Sequence, residues 1–131
     1  MDDHATKGGV IMVMEALDTL EGKFAECETL AFADLSTQMI LVTNTTTQLR
    51  REALDKLCSE AALALGTDKK VPFGQKPGGA AIVAGKGEIK IFLRASHEPT
   101  DVLCCVCSAG LDIDTFLEDA RPCLDKISSG G

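Results

Sequence analysis

The hydrophobic residues of this chain change their spacing in a fixed order, which limits the fold more than any single motif does. Residues 10–24 repeat apolar side chains every three to four positions, residues 30–42 form two short β-like runs around a polar turn, and residues 49–65 are helical again. Residues 80–108 contain three strand-like runs, and residues 112–127 form a last helix. The order αββαβββα predicts an α+β fold with one antiparallel sheet covered by helices, and not a βαβ nucleotide-binding fold.

Length and composition narrow the class of protein. The 131 residues suffice for one domain, which we predict over residues 10–127, between a flexible N-terminal tail (1–9) and a C-terminal tail (128–131). A net charge of −7 and the lack of Trp and Tyr argue against nucleic acid, which needs a basic face and stacking side chains. No basic signal segment and no run of about 18 apolar residues occurs, so we expect a cytoplasmic protein without a membrane span.

The ends of the helices carry local signals. A threonine in residues 45–47 is expected to cap the second helix, and Gly66 to end it in a left-handed conformation. Asp112 is expected to cap the last helix. Pro122 lies inside that helix and removes a backbone hydrogen bond, so it predicts a kink or break near Arg121.

Three cysteines close together, Cys104, Cys105 and Cys107, are the densest candidate chemistry in the chain. A metal site or a thiol enzyme is the functional interpretation. In a strand, however, Cys105 and Cys107 lie on one face and Cys104 on the other, so the three do not converge on one ion. We predict core thiols in a reducing compartment and no metal; Cys27, Cys58 and Cys123 are interpreted as core residues too.

Other catalytic patterns are incomplete. His97 lies in a predicted turn and His4 in the predicted tail, where both are expected to be solvated. Gly85-x-Gly87 lacks the third glycine of a dinucleotide fingerprint, and Gly74-Gln75-Lys76 lacks the spacing and the hydroxyl residue of a P-loop. We therefore expect no catalytic residue, no cofactor and no enzymatic activity.

The loop between the second helix and the third strand is basic. Lys69, Lys70 and Lys76 stand against the single Asp68, a local excess of positive charge in an acidic chain. Such loops are usually only solvated. The functional alternative is that the three lysines steer an acidic protein partner toward this side of the molecule.

Several segments together point to a known family. They are the helical 16–20 (Ala-Leu-Asp-Thr-Leu), the hairpin 30–34 (Leu-Ala-Phe-Ala-Asp) with 39–42 (Met-Ile-Leu-Val), the helix 51–65, the strands 88–93 and 102–107, and Gly110-Leu111. Over residues 11–127 the chain thereby resembles the roadblock family of dynein light chains and GTPase regulators. The family's first hairpin usually has an acidic-Gly turn, where this chain has Asp34-Leu35-Ser36-Thr37.

The resemblance implies a five-stranded antiparallel sheet with one helix on one face and two on the other. It also implies a homodimer, in which the third strands pair and the second helices pack together, and a non-enzymatic role as scaffold or regulator of a small Ras-like GTPase or a motor complex. The sequence agrees in having a third strand without charged residues, since lysines normally block strand addition. The predicted dimer interface comprises Ala80, Ala81, Ile82, Val83 and Ala84 with Leu57, Ala61 and Ala64.

Two functions of other classes stay open. One is a small-molecule sensor of profilin-like fold with a pocket between sheet and helix, against which the lack of Trp and Tyr argues. The other is a thiol enzyme or metal site using Cys104, Cys105 or Cys107.

Overall fold

All the predicted helices and strands occur, in the predicted order, in the computed structural model, which describes residues 2–66 and 79–130. In the first helix the side chains are described from Gly9 onward. The elements are α1 (Asp2–Lys23), β1 (Cys27–Asp34), β2 (Met39–Thr43), α2 (Arg51–Leu65), β3 (Ala80–Ala84), β4 (Glu88–Arg94), β5 (Asp101–Ser108) and α3 (Ile113–Ser128).

The five strands form one sheet in the order β2-β1-β5-β4-β3, and each neighbouring pair is antiparallel. The strand β5 lies in the middle, and its residues 102–107 are all buried. This strand is therefore covered on both faces of the sheet. The two edge strands of the sheet are β2 and β3, and both are short.

One face of the sheet is covered by α1 and α3. The buried side chains between this face and the two helices are called the α1/α3 core. Phe24 of α1 and Phe116 of α3 contact each other edge to face, with ring centroids 5.2 Å apart. The other face is covered by α2, and the buried side chains between them are called the α2 core. The helix contributes the apolar stripe Leu57, Ala61 and Leu65 to this core. This helix also covers Phe92, an apolar residue at an otherwise polar position of β4. The predicted arrangement of helices on both faces is therefore confirmed.

Three helix ends differ from the sequence predictions. The helix α1 begins at Asp2 and includes residues 2–9, for which a tail was predicted. Arg50, without a side-chain hydrogen bond, precedes α2, so the predicted threonine cap is wrong. The helix α3 continues through Pro122 to Ser128, so the predicted break does not occur.

Another end signal is confirmed. The Oδ1 atom of Asp112 accepts a hydrogen bond from the Thr115 N–H at 3.3 Å, which caps α3. Gly66 ends α2 as predicted, but its φ of 80° and ψ of 158° are an extended conformation open to glycine and not the predicted left-handed one. In the β1–β2 hairpin, Asp34 Oδ1 accepts from the Ser36 N–H at 2.9 Å, and Gln38 adopts the positive φ of 55°. An Asx turn and Gln38 thus reverse the chain where the roadblock family usually has a glycine.

Candidate interaction surfaces

The edge strand β3 is regular and uncharged. It pairs with β4 from Ala80, opposite Leu93, to Ala84, opposite Ile89, with no shift in register. Because β3 ends the sheet, alternate backbone N–H and C=O groups point away from β4. The side chains of Ile82 and Val83 are 47% and 48% exposed. This row of apolar side chains and outward-pointing backbone groups, the β3 edge, suits the addition of another strand.

The edge strand β2 is irregular. Phe32 pairs with Val42, but Ala33 pairs with Ile40, so Leu41 is an extra residue that has no partner on β1. The bulge sends Val42 into the α1/α3 core and Ile40 into the α2 core. A bulge bends and twists an edge and interrupts its hydrogen-bonding pattern. The β2 edge, residues 39–43, is therefore a poor template for strand addition.

A buried amide holds the end of β2 against β1. Asn44 is fully buried, and its Oδ1 accepts from the Leu30 N–H at 2.9 Å. Its Nδ2 donates to the Glu28 carbonyl at 3.2 Å. The next residue, Thr45, donates from its N–H and its hydroxyl to the two carboxylate oxygens of Asp18, at 2.8 and 3.0 Å. The β2 end is thus bonded both to β1 and to α1. The sequence did not indicate this bonding role of Asn44, since its partners lie 14 and 16 residues away.

The predicted interface residues of α2 differ in their exposure. Leu57 and Ala61, which the sequence analysis assigned to the dimer interface, are 2% and 0% exposed in the single chain and pack into the α2 core. Ala64 is exposed, and so is Leu63, at 83%. Leu63 lies off the helical stripe that contacts the sheet, a signal that a periodicity argument could have used. Leu63 and Ala64 form the outer face of α2 that a partner could contact.

The predicted steering lysines cannot be placed beside these surfaces. Lys69, Lys70 and Lys76 lie outside the described residues, in the segment that joins α2 to β3. Of the predicted strand residues, Ala81 is half-buried against the α2 core, while Ala80 and Ala84 are exposed.

A groove that the sequence did not predict runs between α1, β2 and α3. Its volume is about 600 Å³. Glu15 and Lys126 are the charged side chains in its lining. Leu41, the bulged residue of β2, is 51% exposed there. The sequence did carry one signal for an exposed apolar surface, the uninterrupted run Val10-Ile11-Met12. Three consecutive residues of a helix point in different directions, so they cannot all face the core of the domain. The other apolar lining residues include Val10, Met12, Val13, Phe32, Val42 and Ile127.

The cysteine cluster of β5 divides between the two faces as predicted. Cys105 and Cys107 are buried in the α1/α3 core, and Cys104 is buried in the α2 core. Burial raises the pKa of Cys104 and of Cys105, so both thiols keep their protons and are weak nucleophiles. Among the described side chains, those of residues 9–66 and 79–130, no group of three or more from His, Cys, Asp and Glu is arranged to hold a metal ion. The geometry therefore favours a packing role for these thiols.

A small cleft contains His97 and Asp125. Ser96 donates to the Asp125 carboxylate from its N–H at 2.9 Å and from its hydroxyl at 2.8 Å. The backbone bond first, and then the hydroxyl bond, lower the pKa of Asp125. Because the Ser96 hydroxyl donates to a carboxylate of α3 rather than to His97, this serine ties a loop to a helix and is not prepared as a nucleophile.

The helices described by the structure include none that is both long and apolar enough to cross a membrane. No protein-family model matches the sequence, and no curated protein matches it.

Solved structures, in contrast, match over most of the chain. A Roadblock/LC7 domain from Streptomyces avermitilis has a TM-score of 0.72 at 11% identity, over 88% of this chain and 94% of that one. An MglB protein in a tetrameric arrangement has a TM-score of 0.73 at 10% identity, over 93% and 89%. Profilin IA of Acanthamoeba castellanii has a TM-score of 0.55 at 16% identity, over 90% and 98%. The chain therefore has a roadblock-type fold, more similar to the first two structures than to profilin.

Proposed function

We propose that this protein is a non-enzymatic, homodimeric scaffold or regulatory module that binds another protein, a small Ras-like GTPase or a motor complex. The observation that carries the proposal is the β3 edge, a regular edge strand without charge. A monomer that left this edge exposed would risk aggregation, because natural proteins block such edges with charges, proline or bulges. A second copy that pairs with the edge removes that risk.

The dimer follows from the geometry of the edge. Two β3 strands related by a two-fold axis pair antiparallel, which joins the two five-stranded sheets into one. The pairing places Val83 near its counterpart and brings the outer faces of the two α2 helices together. Leu63 and Ala64 are the α2 residues that we assign to this contact, in place of the buried Leu57 and Ala61. A tetrameric MglB of the same fold supports self-association of such domains.

The proposed partner rests on the roadblock-type fold and on the resemblance to a family of GTPase regulators. A dimer offers a continuous sheet flanked by helices, wide enough for an interface of roughly 1,600 Å². Lys69, Lys70 and Lys76 belong to the segment between α2 and β3 and are proposed to steer an acidic partner toward the dimer. Their contribution should weaken as the salt concentration rises.

Two measurements test the proposal in sequence. Sedimentation of the full chain between about 1 and 100 µM should show twice the 13.8 kDa mass of one chain, since this range brackets affinities of biological use. Affinity capture from the native cell extract should then retain a Ras-like GTPase, whose nucleotide hydrolysis or exchange changes when the purified dimer is added. A monomer at the highest concentration, or GTP hydrolysis by the isolated protein, would contradict it.

One observation favours a second candidate function. The groove between α1, β2 and α3, called the α1 groove, has a volume within the range of small-molecule sites, and its lining is mainly apolar. A sensor would bind its ligand there. A metabolite mixture should then raise the Tm of the wild type but not of Ala16→Phe, which fills the groove; Ala53→Phe on the exposed face of α2 is the matched control.

A further inference from the structure

Two thiols lie in contact between two central strands. Cys27 begins β1, and Cys107 is its direct partner on β5. The two Sγ atoms are 3.3 Å apart. Both side chains belong to the α1/α3 core and are 3% and 1% exposed. The proposed scaffold function uses neither residue.

We propose that Cys27 and Cys107 are a redox modification site, at which a peroxide oxidises the two thiols to a reversible disulfide between β1 and β5. Directly opposed residues of antiparallel strands have Cα atoms roughly 4.5–5.5 Å apart, which is within the range that disulfides span. The sulfur atoms must approach each other by little more than about 1 Å to reach a bond length of about 2.05 Å. Side-chain rotation supplies a movement of this size, and the strand pairing is retained.

The order of attack is assigned from the positions of the two thiols. The bond with Cys27, followed by burial, raises the pKa of Cys107, so the Cys107 thiol keeps its proton. Cys27 lies at the start of β1, between the exposed residues Ala25 and Glu28, so we assign the first attack to Cys27.

The chemistry balances in two steps. The Cys27 thiol gives up its proton as its sulfur attacks one peroxide oxygen; an S–O bond forms, the O–O bond breaks, and the departing hydroxide takes up that proton to become water. The Cys107 sulfur then attacks Cys27; the S–S bond forms, the S–O bond breaks, and the second water leaves with the Cys107 proton. Together the two thiols lose two protons and two electrons, and the peroxide is reduced to two waters. A dithiol reductant reverses the modification by thiol–disulfide exchange.

The test is peroxide treatment of the full chain, followed by alkylation of the remaining thiols and mass spectrometry. The wild type should lose about 2 Da before alkylation, yield a peptide pair joined through Cys27 and Cys107, and recover its mass with dithiothreitol. The disulfide should raise the Tm by roughly 5–15 °C, because it closes a long loop of the unfolded chain.

Three variants make the assignment specific. Cys27→Ser and Cys107→Ser should lose both the mass change and the rise in Tm. Cys58→Ser, a matched replacement of a buried thiol in the α2 core, should retain both. Peptide mapping of the wild type does not depend on whether the variants fold. A bond from Cys107 to Cys105 or Cys123, or oxygen addition without any crosslink, would overturn the proposal.

Discussion

The two edges of the sheet carry apolar side chains of similar exposure but are constructed differently. Leu41 on β2 is 51% exposed and Val83 on β3 is 48% exposed. The β2 edge is interrupted by a bulge and bonded to β1 and α1 through Asn44 and Thr45. The β3 edge pairs with β4 in unbroken register. Exposure of apolar surface therefore does not separate the two edges, and neither does charge, since neither strand has any; the regular register of β3 does.

The two faces of the sheet differ as well. Beside β2, residues 9–19 of α1 line a groove, so this apolar surface is concave. On the opposite face, α2 presents Leu63 outward, 83% exposed on a convex helix. A concave surface suits a small ligand or an inserted side chain, while a flat edge with a helix suits a second copy of the domain. This contrast separates the two candidate functions.

The largest expected effect is the loss of stability when the hydrogen bonds that hold the end of β2 against β1 are removed. Asn44→Ala removes the acceptor of the Leu30 N–H and the donor to the Glu28 carbonyl, and it leaves the buried Leu30 N–H without this acceptor. The free energy of unfolding should fall by about 3 kcal/mol, since each unsatisfied buried group costs roughly 1–3 kcal/mol. Urea titration measures the change. Gln48→Ala, an exposed change in the following segment, is the control and should leave stability nearly unaltered. Equal stability of the two variants would mean that the β2 edge is not anchored by this amide.

The next effect is on the proposed dimer contact of α2. Leu63→Ser removes an apolar side chain that is exposed in the single chain, so it should weaken self-association roughly tenfold while stability of the monomer stays the same. Ala53→Ser, exposed on the same helix, should change neither quantity. Sedimentation over a concentration series measures the dissociation constant. A tighter or unchanged dimer for Leu63→Ser would place the contact elsewhere.

The smallest effect concerns the ion pair that joins α2 to the strand next to β3. Lys90 Nζ lies 2.9 Å from Glu60 Oε1, and both side chains are partly exposed. Glu60→Gln should cost about 0.5 kcal/mol of unfolding free energy at low salt, and the loss should disappear at high salt. Glu118→Gln on the exposed side of α3 is the matched control. A loss above about 2 kcal/mol would show that the pair is part of a stronger network than surface pairs form.

Much of the fold was predictable because local patterns determine it. The alternation of β5 placed Cys104 opposite to Cys105 and Cys107, and the core confirms this. The side chain of Asp112 signalled a helix start, and it caps α3. Such signals depend on residues within a few positions of one another.

The construction of the edges was not predictable from local patterns. The bulge at Leu41 depends on how β2 aligns with β1, and the role of Asn44 depends on backbone groups that are distant in sequence. The apolar stripe of α2 indicated contact residues, but Leu57 and Ala61 fill the core and so are not available to a partner. Periodicity shows that a residue faces apolar surroundings, but not whether its own chain or another supplies them.

The central claim, that the β3 edge is the association edge, is tested most directly by one charge placed on each edge. Val83→Lys and Leu41→Lys introduce the same group at positions of similar exposure. Sedimentation equilibrium should give a dimer for the wild type and for Leu41→Lys, because β2 takes no part in pairing. Val83→Lys should be monomeric, with association weakened roughly 100-fold or more by two like charges that face each other. A dimeric Val83→Lys together with a monomeric Leu41→Lys would contradict the account.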